Sequence, residues 1–177
     1  MTRFSKAFSL AMLGLISVIG AITIAAQDEV LAPFDINRVK LATVFIAQTQ
    51  TVGTTQQIVC IGSGTLVSRD GLILTNAHST VTSTDCAGDT IIVYVSASLD
   101  SPPQPTYQAQ IVQYDAGIDL ALLQIHRGFD GRSINKAELS LPFVELADSD
   151  LVRLDETLTI VGYPDIGDDP VRDSRVV

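Results

Sequence analysis

The fold of this chain is decided by residues 62–78, which read GSGTLVSRDGLILTNAH. Apolar and β-branched residues stand on both sides of Arg69-Asp70-Gly71, and an Asp-Gly pair between two such runs is a strong signal for a tight hairpin turn. The pattern therefore predicts strands at residues 64–68 and 72–75. The second strand runs into Asn76-Ala77-His78-Ser79, a turn of small residues where an imidazole would emerge at the end of a β-element.

Short β-strands continue on both sides of this hairpin. The runs rich in Val, Ile, Leu and Thr predict further strands at residues 41–50, 58–61, 90–97, 106–114, 120–125 and 157–161. A polar turn is expected at residues 51–57, and a loop at residues 101–105, whose three prolines remove donors and fix φ. Short strands at this spacing predict an all-β sandwich or barrel rather than an α/β sheet.

A short helix is predicted ahead of the strands, at residues 32–40. Asp35 lies near its start, while Arg38 and Lys40 lie near its end, which matches the helix macrodipole.

Composition limits the class of protein. The chain has 177 residues, of which 46% are hydrophobic and 18% charged, so it can bury a core and is not disordered. A net charge of −9 and the lack of any Lys/Arg cluster argue against a nucleic-acid partner. No metal or nucleotide motif occurs, and no cofactor is expected. The acidic residues Asp165, Asp168 and Asp169 lack the spacing of a calcium loop and predict a solvated tail.

The first 27 residues have the layout of an export signal. Arg3 and Lys6 precede an uncharged apolar run at residues 7–24, and Asp28 and Glu29 follow it. The run is long for a signal core and just reaches the length of a membrane span, so a cleaved signal peptide and an uncleaved anchor both fit. Both predict that the rest of the chain is exported, secreted or held outside the cytoplasm.

The two cysteines, Cys60 and Cys86, fall in the part expected to be exported. An oxidising compartment would let them form a disulfide, which would stabilise the fold by roughly 3 to 4 kcal/mol on the chain-entropy model. Two unrelated buried thiols are the alternative, because sequence does not show their geometry.

His78 and Asp119 are the residues best placed for catalysis. The chain has only two histidines, and His78 follows a strand directly. Asp119 precedes the nearly continuous apolar run Leu120-Ala121-Leu122-Leu123. By position alone, a lone His such as His78 is more often a surface or core residue, and most Asp residues placed like Asp119 are solvated turn residues. A buried Asp would instead need a donor such as an imidazole N–H, which is how catalytic triads orient their base.

Three segments in order resemble trypsin-like serine peptidases, closest to the bacterial HtrA-like type. Residues 62–78 are similar to the segment that carries the family's His, and residues 117–125 to the one in which Asp opens a strand Asp-Leu-Ala-Leu-Leu. Residues 146–151, followed by 157–164, resemble the entry into the second barrel. The resemblance covers most of residues 40–164. It implies two β-barrels with a triad between them, with His78 as general base and Asp119 as its partner.

The sequence departs from the family in three places. Ser79-Thr80 follows the His where other members have Cys or Val, and Asp155 stands where Gly is usual. The family's nucleophile lies in a Gly-x-Ser-Gly-Gly-like turn, and no such motif occurs here. Ser63 is expected in a β-turn or at a strand edge, while Ser133 and Ser174 lack the flanking glycines of an oxyanion hole. The second histidine, His126, is expected to be exposed at a strand end.

The sequence therefore predicts part of a serine endopeptidase that acts on polypeptides. Residues 1–27 form the signal or anchor, residues 28–140 the first barrel, and residues 141–177 a connector and the incomplete start of the second. Without its nucleophile, this fragment is expected to be inactive alone. The alternative is an exported, non-catalytic β-barrel that binds a protein or peptide. The sequence makes no prediction of oligomeric state.

Overall fold

One short helix precedes the strands in the computed structural model, which describes residues 35–84 and 86–164. Helix α1 (Ile36–Ala42) begins at Asp35, whose carboxylate accepts a hydrogen bond of 3.0 Å from the backbone amide of Asn37. A side-chain oxygen in this position caps the free amides of a first turn. The predicted helix at residues 32–40 therefore begins and ends later than expected, and it includes Leu41 and Ala42, which were predicted as strand.

Six antiparallel strands close into a barrel. The strands are β1 (Thr43–Val52), β2 (Thr55–Leu66), β3 (Leu72–Thr75), β4 (Thr90–Val95), β5 (Gln104–Asp115) and β6 (Leu120–Gly128). Around the barrel their order is β1-β2-β3-β6-β5-β4, so β1 pairs with both β2 and β4. The prediction of an all-β fold is confirmed.

The hairpin predicted around Arg69-Asp70-Gly71 joins β2 to β3. The backbone amide of Val67 donates to the carbonyl of Leu72 at 2.9 Å, and Gly71 has a φ of +88°. A Cβ at Gly71 would lie 2.9 Å from the side chain of Ile125 on β6. Glycine is therefore required here both for the left-handed backbone and for the close approach of the strand.

Two predicted strands form one. Residues 58–61 and 64–66 belong to the single strand β2, which runs through Gly62 and Gly64 without a break. A Cβ at Gly64 would lie 2.6 Å from Ile46 and 2.7 Å from Ile73. These glycines thus mark close packing, of Gly62 against Ser79 and of Gly64 inside the barrel, and not a turn.

The predicted loop at residues 101–105 is shorter than expected. Gln104 and Pro105 open β5, where Pro105 pairs with Tyr94 next to a register shift in β4. A proline is tolerated at such an irregularity because the lost backbone donor does not interrupt a regular ladder.

The core has two parts. The larger cluster fills the barrel and includes the fully buried Val44, Ile46, Leu66, Ile73, Val93, Leu123 and Ile125. The smaller one is aromatic: Phe45 meets Tyr94 and Tyr163 edge to face, with ring centroids 5.3 and 5.8 Å apart. Edge-to-face contacts suit the charge distribution of aromatic rings. Tyr163 also donates its backbone N–H to the hydroxyl of Ser63 at 2.8 Å, which attaches the end of the described chain to β2.

The segment after the barrel contains two short 3-10 helices, Lys136–Glu138 and Ser149–Leu151, but residues 157–161 form no strand. The strand predicted there is wrong for this structure. Leu158 is 71% exposed and Ile160 91% exposed, so no neighbouring strand in the described residues supplies the hydrogen bonds that a ladder needs.

The predicted signal or anchor at residues 1–27 lies outside the described residues. Within residues 35–84 and 86–164, no helix is long and apolar enough to cross a membrane.

Candidate active site

His78 and Asp119 lie beyond the same end of one strand pair. Strand β3 ends at Thr75, which pairs with Ala121 near the start of β6. His78 comes three residues after Thr75, and Asp119 directly precedes β6. After β3 the chain closes a tight turn, because the amides of Thr80 and Val81 both donate to the carbonyl of Ala77, at 3.0 and 2.8 Å. Antiparallel pairing and this turn bring together two residues 41 positions apart.

The imidazole and the carboxylate are in direct contact. His78 Nδ1 lies 2.6 Å from Asp119 Oδ2, and the backbone N–H of His78 donates to Oδ1 at 2.9 Å. Because a carboxylate accepts, Nδ1 must carry a proton, which leaves Nε2 as the basic nitrogen of the neutral ring. The side chain of His78 is 71% exposed, so the ring is accessible to a reacting group.

Asp119 is held in its charged form by its donors. The pKa of its carboxyl lies below the ordinary value, first because the backbone N–H of His78 donates to it and then because of the His78 ring. The side-chain amide of Asn76 adds a third hydrogen bond, to Oδ2 at 3.0 Å, and also lowers the pKa. Partial desolvation opposes these effects. A carboxylate with three donors is suited to fix and charge-stabilise an imidazole.

The backbone of Asp119 is unusual. Its φ is +55°, in the left-handed region that Asp tolerates better than most residues. The carbonyl of Asp119 accepts from the backbone N–H of Ala77 at 3.3 Å, so this conformation is tied to the turn that carries His78.

Asp155, which stands where the related peptidases usually have Gly, has a φ of +69°, and this conformation explains why glycine is favoured there.

Comparison with known proteins agrees with this geometry. The sequence profile of the trypsin-like peptidase domain family matches residues 62–177, which is more than half of the chain. The chain belongs to the trypsin-like peptidase family. Its relatives include "Serine protease HTRA1" of Xenopus laevis, 35% identical over 103 residues, which are 58% of this chain and 18% of that protein. A "Probable periplasmic serine endoprotease DegP-like" of Pseudomonas putida is 33% identical over 104 residues, 59% of this chain and 17% of that protein.

A third relative is the "Magnetosome formation protease MamE" of Magnetospirillum gryphiswaldense, 31% identical over 111 residues, 63% of this chain and 12% of that protein. The chain thus matches less than one fifth of the length of each of these three relatives. The predicted likeness to HtrA-like peptidases is confirmed.

The serines considered as nucleophiles fall in three different places. Ser63 lies within β2, where its hydroxyl accepts from Tyr163 and the strand pairs with Phe45 of β1. Ser133 forms an isolated β-bridge with Arg127. Ser174 and the acidic residues Asp165, Asp168 and Asp169 lie outside the described residues. Within the described ranges, no hydrogen bond joins a serine hydroxyl to His78, and no group of His, Cys, Asp and Glu is arranged to hold a metal.

His126 differs from the prediction of an exposed residue. It lies within β6, is half-buried, and its Nδ1 atom is buried without a hydrogen-bond partner. Burial lowers the pKa of His126, and the positive charges of Arg127 and Lys136 lower it further. The chain that follows pairs with β6 here, since Ile134 donates its backbone N–H to the carbonyl of His126 at 3.2 Å and Ser133 forms a β-bridge with Arg127.

A disulfide closes the segment that follows His78. Cys60 on β2 is bonded to Cys86, with their Cα atoms 5.5 Å apart. The segment 76–89 is therefore attached covalently to the barrel eight residues after His78.

The sequence analysis missed two further residues near the site: Asn76, which binds Asp119, and Gln48, which binds the segment 76–89. The sequence did contain a signal for Asn76, because it is a polar residue between the end of a strand and a candidate His. It contained no signal for Gln48, which lies within a run of strand-forming residues.

Proposed function

We propose that this chain supplies the general base and its carboxylate partner to a serine endopeptidase. The observation that carries the proposal is the 2.6 Å contact between His78 Nδ1 and Asp119 Oδ2, with Nε2 on an exposed ring. The family match and the protease relatives support the same activity. Peptide bonds of polypeptides are the substrate class that this family membership favours.

The proposed reaction is acyl transfer to water. His78 Nε2 takes the proton of a serine hydroxyl as the oxygen attacks the scissile carbonyl, then gives this proton to the leaving amine. A water molecule next attacks the acyl-enzyme while Nε2 takes its proton, and the serine leaves with the proton returned. Asp119 keeps Nδ1 protonated throughout and stabilises the imidazolium.

The serine is proposed to come from chain beyond residue 177. Its support is that the sequence has no Gly-x-Ser-Gly-Gly turn and that the matched stretch is under a fifth of each relative's length. On this proposal, residues 28–140 make the first barrel and residues 141–177 lead into the second. The 177 residues alone are then inactive, because loss of the nucleophile costs about six orders of magnitude in turnover.

Export is proposed with the enzyme. Three observations support it: the charged head and apolar run at residues 1–27, the Cys60–Cys86 disulfide, and the similarity to a relative named as a periplasmic endoprotease. Disulfides persist in oxidising compartments and are rare in the cytosol.

A fluorophosphonate probe, which labels activated serines, tests the proposal. The 177-residue chain should remain unlabelled. A longer product, which includes the chain proposed beyond residue 177, should be labelled and should degrade unfolded casein. His78→Ala in that longer product should abolish labelling. Labelling of the short chain would refute the assignment of the nucleophile. A longer product that binds peptides, remains unlabelled and leaves casein intact would show a non-catalytic binding module instead.

A further inference from the structure

The amide of Gln48 is buried in the barrel. Gln48 lies on β1 and is 1% exposed, and both polar atoms of its side chain are hydrogen-bonded. Its Nε2 donates to the carbonyl of Thr80 at 2.8 Å, and its Oε1 accepts from the backbone N–H of Gly88 at 2.9 Å. A buried amide is costly unless its hydrogen bonds are made, so these two contacts are strongly favoured.

Both partners of Gln48 belong to the segment 76–89, between β3 and β4. Thr80 follows His78 by two residues, and Gly88 lies next to the start of β4. A single side chain therefore connects the two ends of this segment to β1. The fit is close, because a Cβ at Gly88 would lie 2.5 Å from Gln48 Cγ.

Thr80 transmits this attachment to the turn that carries His78. The backbone N–H of Thr80 donates to the carbonyl of Ala77 at 3.0 Å, and its hydroxyl donates to the carbonyl of Asn76 at 3.1 Å. The two residues that precede His78 are thus hydrogen-bonded to Thr80, which follows it by two. Since the backbone N–H of His78 itself donates to Asp119, a shift of this turn changes the contact between His78 and Asp119.

We propose that Gln48 is a positioning residue, which holds the turn at residues 76–80 through Thr80 and thereby sets the contact between His78 and Asp119. The importance of this role for catalysis rests on the proposed function. The coupling of Gln48 to the contact between His78 and Asp119 does not, because all of the residues involved lie in the 177-residue chain. The disulfide at Cys86 attaches the same segment further along. It does not replace Gln48, because Cys86 is eight residues from His78 and Thr80 is two.

Gln124 provides a matched control. It is also a buried glutamine, 7% exposed, and its Nε2 donates to the carbonyls of Asp70 and Ile125 at 2.9 and 3.3 Å. Neither Asp70 nor Ile125 lies in residues 76–89. Replacing either glutamine by Met removes a buried amide while keeping side-chain length, so a purely structural effect should be similar in the two variants.

The test is an NMR titration of the Asp119 carboxyl carbon in the 177-residue chain, as wild type, Gln48→Met and Gln124→Met. Gln48→Met should raise the pKa of Asp119 towards its ordinary value and broaden the hydrogen-bonded Nδ1 proton of His78, while Gln124→Met should leave both as in wild type. Equal behaviour of the two variants would overturn the proposal.

Gln48→Asn is the second variant in case Gln48→Met does not fold. It keeps an amide, but its side chain is one methylene shorter and cannot reach both the carbonyl of Thr80 and the amide of Gly88. Unchanged Asp119 titration and His78 signals in a folded Gln48→Asn chain would also overturn the proposal. These measurements need no turnover, so failure of the protease assay in the longer product would not be mistaken for failure of this coupling.

Discussion

The two histidines of this chain lie on opposite sides of the stretch where β3 pairs with β6. That stretch runs from Leu72 opposite Gln124 to Thr75 opposite Ala121. His78 lies beyond its second end and contacts a carboxylate, whereas His126 lies within β6, past its first end. Burial lowers the pKa of His126, the positive charges of Arg127 and Lys136 lower it further, and its Nδ1 has no hydrogen-bond partner among the described residues. His78 is therefore the histidine suited to act as a general base, because Asp119 fixes its Nδ1 and its Nε2 is accessible.

Replacing each histidine should separate the two roles most strongly. His78→Ala in the complete enzyme should lower kcat by about 10⁶, since loss of one member of a triad costs nearly as much as loss of all three. His126→Ala should leave kcat within about twofold of wild type at a temperature where the protein stays folded. Peptide hydrolysis under saturating substrate measures both. A loss of kcat in His126→Ala comparable to that in His78→Ala would remove the distinction.

The carboxylate is the next target. Asp119→Asn should lower kcat of the complete enzyme by about 10⁴, because an amide can stabilise the wrong imidazole tautomer and carries no charge for the imidazolium. Asn tolerates the left-handed backbone of this position, so the fold should be retained. Kinetics together with the far-UV circular dichroism spectrum check this prediction. Near wild-type turnover in a folded Asp119→Asn enzyme would show that His78 acts without its partner.

The disulfide should affect the surroundings of His78 more than those of His126. A Cys60→Ser/Cys86→Ser chain should lose about 3 kcal/mol of unfolding free energy, as expected for closing a loop with a sequence separation of 26. Amide hydrogen exchange should accelerate most in residues 76–89. Urea unfolding and exchange mass spectrometry, with the fully oxidised wild type as control, measure the two effects. Uniform acceleration over the barrel would mean that the bridge does not act locally.

The smallest expected effect is a pH dependence of stability. The folded-state pKa of His126 lies below its ordinary value of 6.5, so its neutral form is favoured in the fold and stability is lost as pH falls below about 6.5. His126→Phe should remove this pH dependence of the unfolding free energy. Between about pH 6.5 and pH 5, the unfolding free energy of the variant should therefore rise relative to that of wild type. Asp119 contributes above its ordinary value of 3.8 and loses its contribution only at lower pH. Urea unfolding at several pH values tests this, and parallel wild-type and variant curves would contradict it.

Local patterns predicted the barrel strands well because each strand is a run of β-branched and apolar residues bounded by turn-forming residues. The hairpin at Asp70-Gly71 and the apolar run after Asp119 both appear where the sequence places them. The errors arose where another part of the molecule decides. Residues 62–63 were predicted to separate two strands, but Gly62 and Gly64 lie within the continuous strand β2, where they allow the close approach of Ser79 and of core side chains. Residues 157–161 have a strand pattern but no neighbour to pair with in the described chain.

The same distinction holds for the site. His78 and Asp119 were predicted from three ordered segments that resemble a family, and their contact depends on the β3–β6 register, which neither segment shows alone. The environment of His126 depends on Lys136 and on the residues that pair with β6 after the barrel, both outside the strand pattern around it. Gln48 binds a segment more than thirty residues away, so no local signal marked it.

Closure of the barrel limits where it can bind an extended peptide. A peptide that binds as an added strand needs a free row of backbone N–H and C=O groups. Each of the six described strands has a neighbour on both sides, but the pairing is not continuous. Strand β3 pairs only with residues 64–66 of β2, so residues 55–63 of β2 pair as a strand with β1 alone in the described chain. A peptide can add as a strand only at such one-sided stretches, whereas the parts of the ring paired on both sides can offer it only side chains and turns, such as the one bearing His78.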